Sequence, residues 1–97
     1  MNKNYMTGYR AELRAKKYLE DMGYNVIRSR GSHGLFDVVA FNKDVTRFIQ
    51  IKKTKEKSIP AYIRERNVLA DLAVSGSIRV EFWVWQERKG WQFFLIK

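Results

Sequence analysis

The stretch Leu35-Phe36-Asp37-Val38-Val39-Ala40-Phe41-Asn42-Lys43-Asp44-Val45-Thr46-Arg47-Phe48-Ile49-Gln50-Ile51-Lys52 reads as a β-hairpin. Leu35 to Phe41 and Arg47 to Lys52 are rich in β-branched and aromatic residues, and Asn42-Lys43-Asp44 supplies the turn between them. Side chains alternate along a strand, so Phe48, Gln50 and Lys52 share one face while Ile49 and Ile51 share the other. Asp37, near the head of the first strand, then meets Gln50 and Lys52 at one end of the hairpin.

Upstream, Ala11, Ala15, Tyr18, Leu19 and Met22 recur at helical spacing from about Thr7, the candidate N-cap, and Gly23 follows as a stop. At roughly 100° per residue, Glu12 falls beside Leu19 at the edge of the buried stripe, where a carboxylate can look into a cleft. Tyr24 to Arg28 is a short strand, and Ser29 to Gly34, with two glycines and two basic residues counting Arg30 and His33, is a loop. Downstream, Ser58-Ile59-Pro60 resembles a helix start. Tyr62, Ile63, Leu69, Leu72 and Ala73 form its apolar stripe up to Gly76. Two strands follow, Ile78 to Gln86 and Trp91 to Ile96, joined by a turn containing Lys89-Gly90. Both are apolar on two faces, so they are covered on both sides or shared with a second subunit.

A chain of 97 residues forms one domain with one core, and a hydrophobic content of 45% excludes a disordered basic tail. Its 19 basic against 10 acidic residues favour a polyanionic partner, nucleic acid first and an anionic membrane surface second. No apolar run is long enough to span a bilayer, and the polar start Met1-Asn2-Lys3-Asn4 is no secretory signal, so a cytoplasmic protein is expected. The absence of cysteine excludes disulfides, thiolate metal sites and thiol nucleophiles, and the lone His33 excludes a histidine-pair metal site. Carboxylates, amides, hydroxyls and lysines are left to carry any chemistry.

That set suits hydrolysis of a phosphodiester, which needs an activated water and neutralisation of charge as the phosphorus is attacked. A hard divalent cation held by oxygen ligands supplies both. Asp37 is the leading ligand, with the Gln50 amide oxygen, the Ile51 carbonyl and Glu12 completing the shell. Lys52 would orient the attacking water or stabilise negative charge.

The order of these features resembles the PD-(D/E)xK nuclease superfamily and, within it, the archaeal Holliday-junction resolvases. The resemblance runs from Gly8 and Glu12 on the first helix through Val26-Ile27-Arg28, the loop Arg30-Gly31-Ser32, Asp37-Val38-Val39-Ala40 and the Gln50-Ile51-Lys52 strand to the second helix. It implies an α/β fold of the restriction-endonuclease type, a mixed central sheet flanked by two helices. It also implies catalytic positions at Glu12, Asp37, Gln50 and Lys52, with Ser32 as the loop serine. The resolvases carry glutamate where this chain has Gln50, and Mrr-type restriction nucleases look similar in using QxK. The segment Gly34-Leu35-Phe36-Asp37 looks like the GxFD strand start seen elsewhere in the superfamily.

Arg28, Arg30, Lys53, Lys55, Lys57 and Arg64 are candidates for phosphate contact, although a charge run is also the ordinary face of a solvated loop. Trp83, Trp85, Trp91, Phe93 and Phe94 fit core or dimer contact better than base stacking, because they lie on regular strands. The expectation is a homodimeric, magnesium-dependent endonuclease acting on four-way DNA junctions, with manganese as an alternative ion. Its rivals are another nuclease of this superfamily, cutting nicked, flapped or modified duplex, and an inactive DNA-binding protein on the same scaffold.

Overall fold

In the computed structural model, which describes residues 3–29, 34–58, 61–72, 74 and 76–97, the chain runs α1 (Lys3–Asp21), β1 (Asn25–Arg28), β2 (Val38–Phe41), β3 (Thr46–Thr54), α2 (Ile63–Ala70), β4 (Ile78–Gln86) and β5 (Gly90–Leu95). The five strands form one sheet in the order β1-β2-β3-β4-β5. β1, β2 and β3 are joined by antiparallel pairing, β3 and β4 run parallel, and β4 and β5 are again antiparallel. The parallel pair requires a crossover, and α2 lies in it. This is the expected α/β arrangement, a mixed sheet with two helices.

The hairpin forms where its turn residues place it. Asn42 Oδ1 accepts from the backbone N–H of Asp44 at 2.8 Å and of Val45 at 2.9 Å, and the Asn42 N–H donates to the Val45 carbonyl at 3.0 Å. A side chain that satisfies two turn amides fixes the loop length and so the register. Val38 then stands opposite Ile49, and Phe41 opposite Thr46.

Alternation sends each strand's residues to two cores. Ala11, Ala15 and Leu19 of α1 bury against Val38, Ala40, Ile49, Ile51 and Trp83, whereas Leu69 of α2 lies with Val80, Phe82 and Val84 on the other side. β4 is buried on both faces from Val80 to Val84, as its apolar residues require, with Glu81 the charged exception. Among the described residues no helix is long and apolar enough to cross a membrane.

Three boundaries differ from the sequence expectation. α1 begins by Lys3, so Thr7 lies inside the helix and does not cap it; no glycine or proline among the preceding residues stops the helix there. α2 begins at Ile63, after Tyr62 in the left-handed region (φ 52°, ψ 43°), so the helix start is later than Ser58; Ile59 and Pro60 lie outside the described residues. Ile63 is consequently 59% exposed and does not belong to the buried stripe, which Tyr62, Leu69 and Leu72 supply; Ala73 lies outside the described residues. The third difference, the late start of β2, creates the site described below.

One ion pair is built into the face covered by α1. Arg47 Nε and Nη2 donate to the two oxygens of Glu81 at 2.6 and 2.8 Å, and Trp83 Nε1 donates to Glu81 Oε1 at 3.0 Å. The Arg47 and Glu81 side chains are only 13% and 7% exposed, so solvent screens them weakly. Glu81→Ala, which strands the guanidinium, is expected to lower unfolding free energy by about 3 kcal/mol or more in a denaturant titration. A loss under about 1 kcal/mol, typical of a surface pair, would contradict this reading.

Candidate active site

Leu35 to Phe41 looked like one strand, but the strand begins only at Val38. Phe36 packs with the α2-side core, its ring 5.2 Å from Phe48, whereas Val38 packs with the α1-side core. In a regular strand, residues two apart share a face, so the chain must turn between them, at Asp37. The Asp37 N–H donates to the Ile49 carbonyl at 3.0 Å, and its Oδ2 accepts the Ile51 N–H at 2.8 Å. The carboxylate therefore stands in for a backbone carbonyl in the β2–β3 ladder. It lies in the seam between the two strands, neither above nor below the sheet.

Glu12 and Lys52 interact with the Asp37 charge from opposite faces of the sheet. Glu12 approaches from α1, its side chain 18% exposed, and Arg28 Nη1 at the end of β1 stands 3.8 Å from Glu12 Oε1. Arg28 also lies over the Tyr9 ring, 4.7 Å from its centroid. Gln50 and Lys52 project from the opposite face of β3, because Ile49 and Ile51 are committed to the α1-side core. Gln50 Oε1 is buried and, among the described residues, accepts no hydrogen bond. Within a strand a residue's N–H and C=O point the same way, so the Ile51 carbonyl is turned toward β2, as its N–H is.

The electrostatics fit a shared site. The Glu12 carboxyl is pushed above its ordinary value first by burial, then by the Asp37 charge, with Arg28 pulling the other way. Asp37 is also raised, chiefly by burial; the Ile51 N–H and the Lys52 ammonium oppose this without cancelling it. Two half-buried carboxylates close enough for one charge to raise the other's pKa make a locus that favours a cation. Among the described residues no group of three or more His, Cys, Asp or Glu is assembled, so the acids number two and the remaining oxygen donors are neutral: the Gln50 amide and the Ile51 carbonyl.

The basic candidates divide. Arg28 faces inward to Glu12 instead of out to solvent. Lys53 falls on the α1 side of β3, opposite Lys52, while Lys55, Lys57 and Arg64 are exposed. The Lys57 carbonyl accepts from Gln86 Nε2 at 2.6 Å and from Lys89 Nζ at 3.1 Å, which ties this loop to the β4–β5 turn. A cleft of about 450 Å³ results, bordered by Lys55, Lys57, Arg88 and Lys89. The sequence reading missed Arg88 and Lys89, since only the parallel pairing of Thr54 with Gln86 brings them beside Lys57. Ser32 and Arg30 lie outside the described residues.

A five-stranded mixed sheet with a helix on either side and a polar seam at one end defines the restriction-endonuclease type of α/β fold, the scaffold of PD-(D/E)xK nucleases. Over residues 3–97 the sequence matches the family model described as archaeal Holliday junction resolvase (hjc), and the chain belongs to that family of junction-resolving nucleases. Among solved structures it is similar to Hjc from Archaeoglobus fulgidus, described as a Holliday junction resolvase from an archaeal hyperthermophile. That match has 26% sequence identity and a TM-score of 0.72, over 93% of this chain and 73% of the other.

The raised carboxyls predict a pH effect on the metal-free protein. An acid whose folded pKa exceeds its unfolded value destabilises the fold above the folded pKa, and the penalty disappears below the unfolded one. Asp37→Asn keeps an acceptor for the Ile51 N–H and removes the charge. It is expected to raise the thermal midpoint at neutral pH, with the gap from wild type closing as pH falls below the ordinary Asp value of 3.8. A thermal melt series in chelator would check the sign. A variant less stable than wild type at neutral pH would contradict it.

Proposed function

We propose that this chain is a homodimeric, magnesium-dependent endodeoxyribonuclease that cuts four-way DNA junctions. The observation that carries the proposal is Gln50 Oε1, buried and, among the described residues, without a hydrogen-bond partner, on the strand whose Ile51 N–H holds Asp37. A buried acceptor left empty costs about 1–3 kcal/mol, which a cation bound there would offset. Glu12, Asp37, the Gln50 amide oxygen and the Ile51 carbonyl are the proposed ligands, all oxygen donors of the kind magnesium and manganese accept.

A divalent ion supplies a lowered water pKa and neutralises charge on the phosphate. The chain's own groups do the rest. Asp37 is held in place by the Ile51 N–H, so its free oxygen points in a fixed direction. Lys52, close enough to Asp37 to lower its pKa, presents an ammonium to the attacked phosphate or to the incoming water. Arg28 keeps Glu12 from swinging into solvent. Lys53, Lys55, Lys57 and Arg64 are proposed to hold phosphates without reading sequence, which suits recognition of DNA shape. For Ser32 and Arg30 the proposal rests on the family resemblance alone.

Two exposed apolar residues support the dimer. Ile63, 59% exposed, and Leu95, 65% exposed on the edge strand β5, flank one surface cleft, and an uncovered sheet edge of this kind invites pairing with a second chain. With DNA as substrate, the cytoplasm is the compartment proposed.

Gln50 itself favours a second reading, a DNA-binding protein with a silent site, because it removes one carboxylate from the family's set. Incubation of purified protein with a labelled four-way junction and magnesium separates the readings. Symmetric paired nicks near the crossover are expected, and Asp37→Ala should slow cleavage by roughly 10³-fold while sparing binding. Cutting of nicked or flapped duplex in preference to the junction would assign the site to another nuclease type. An inert wild type that Gln50→Glu awakens would establish the silent-site reading instead.

A further inference from the structure

On the flank of α1 away from the seam lies a groove of about 610 Å³ that the junction-cutting site does not use. Its floor is aromatic: Trp85 and Trp91, which the sequence assigns to core or dimer contact, are only half-buried and line the groove. Trp85 and Trp91 meet edge to face with centroids 5.2 Å apart, and Tyr18, 40% exposed, borders them. Its rim is cationic on balance: Arg10, Arg14 and Lys17 follow one another along α1 at helical spacing, with Asp21 at the end of the row. The Arg14 guanidinium stacks 4.0 Å from the Trp85 ring centroid, and Lys17, 79% exposed, also meets Asp21 at 3.4 Å.

We propose that this groove is a second nucleic-acid subsite, which takes a short run of unpaired DNA with its phosphates along Arg10, Arg14 and Lys17 and its bases against Trp85 and Trp91. The proposal rests on the reading of this chain as a DNA-acting protein and adds to it a place for unpaired strand.

Charge selects the occupant. Arg10, Arg14 and Lys17 are spread over about 10 Å of helix, and each can meet one phosphate of a strand laid along it. The floor offers flat π surfaces, which accept any base, and the Arg14 guanidinium over Trp85 adds a planar cation to that floor. Duplex DNA keeps its bases stacked inside and has nothing to place on that floor. Position agrees as well: Glu12 lies on the same helix as Arg10 and Arg14, about 160° around its axis from each. A strand leaving the seam beside Glu12 therefore needs only to cross one helix to reach the groove.

The test is a titration of the intact protein, without metal, by a short oligothymidylate, followed through tryptophan emission. Quenching is expected, with an apparent affinity that falls with salt at a log–log slope of about −2, as three single-strand phosphate contacts give. The double variant Arg10→Glu, Lys17→Glu, checked for an unchanged near-ultraviolet tryptophan spectrum, should weaken binding about tenfold or more and flatten that slope. A blunt duplex of equal length should quench little. Unmoved emission, equal quenching by the duplex, or unaltered binding by the double variant would each overturn the proposal. So would an acidic apolar peptide that quenches where the oligonucleotide does not, since the groove would then serve a protein partner. Running Asp37→Ala in parallel keeps the two claims apart: loss of junction cutting bears on the seam, loss of quenching on the groove.

Discussion

A single hydrogen bond, from the Ile51 N–H to the Asp37 carboxylate at 2.8 Å, organises the functional end of this molecule. By taking a ladder donor with a side chain, Asp37 delays the start of β2, sends Phe36 and Val38 to opposite faces, and holds a negative charge in the plane of the sheet. Only from that position can the carboxylate be approached from both sides. Glu12 comes from the helix packed on one face, and Lys52 comes from the other face of the neighbouring strand. Regular β-structure at Asp37 would have pointed it to one face alone.

The hairpin was legible because its turn carries an asparagine whose side chain satisfies two amides, and because alternation is a rule without exceptions inside a regular strand. The helical wheel likewise placed Glu12 beside Leu19, and the structure buries Leu19 while leaving Glu12 partly exposed at that edge. What could not be read was where regularity breaks. Leu35 to Phe41 has the composition of one strand throughout, and nothing local says that Asp37 will compete for a backbone donor on another strand. The left-handed Tyr62 that delays α2 is similar: bulky residues rarely adopt φ 52°, so sequence offers no signal for it. The basic stripe Arg10, Arg14, Lys17 had a visible spacing. Its meaning depended on Trp85 and Trp91, which sequence placed on strands but not beneath that helix.

Replacing a glutamate of the family pattern with Gln50 changes the balance of this end without dismantling it. Two acids already bear raised pKa values, Asp37 from burial and Glu12 from burial and then the Asp37 charge. A third carboxylate would add to the repulsion in the empty protein and would strengthen the hold on a cation. The amide gives up some of that hold and relieves some of the repulsion. It keeps a buried oxygen that, among the described residues, accepts no hydrogen bond. The fold therefore stores less electrostatic strain at the seam, while the protein's formal charge of +9 still draws DNA to the surface.

Anomalous diffraction from crystals soaked in manganese tests the central claim most directly, because it locates the ion without relying on turnover. The account predicts one anomalous peak in the β2–β3 seam, bonded to an Asp37 oxygen, to Gln50 Oε1 and to the Ile51 carbonyl, and absent from Asp37→Ala crystals. A peak bound elsewhere, or a seam that stays empty at saturating manganese while Gln50 turns to a protein donor, would contradict it.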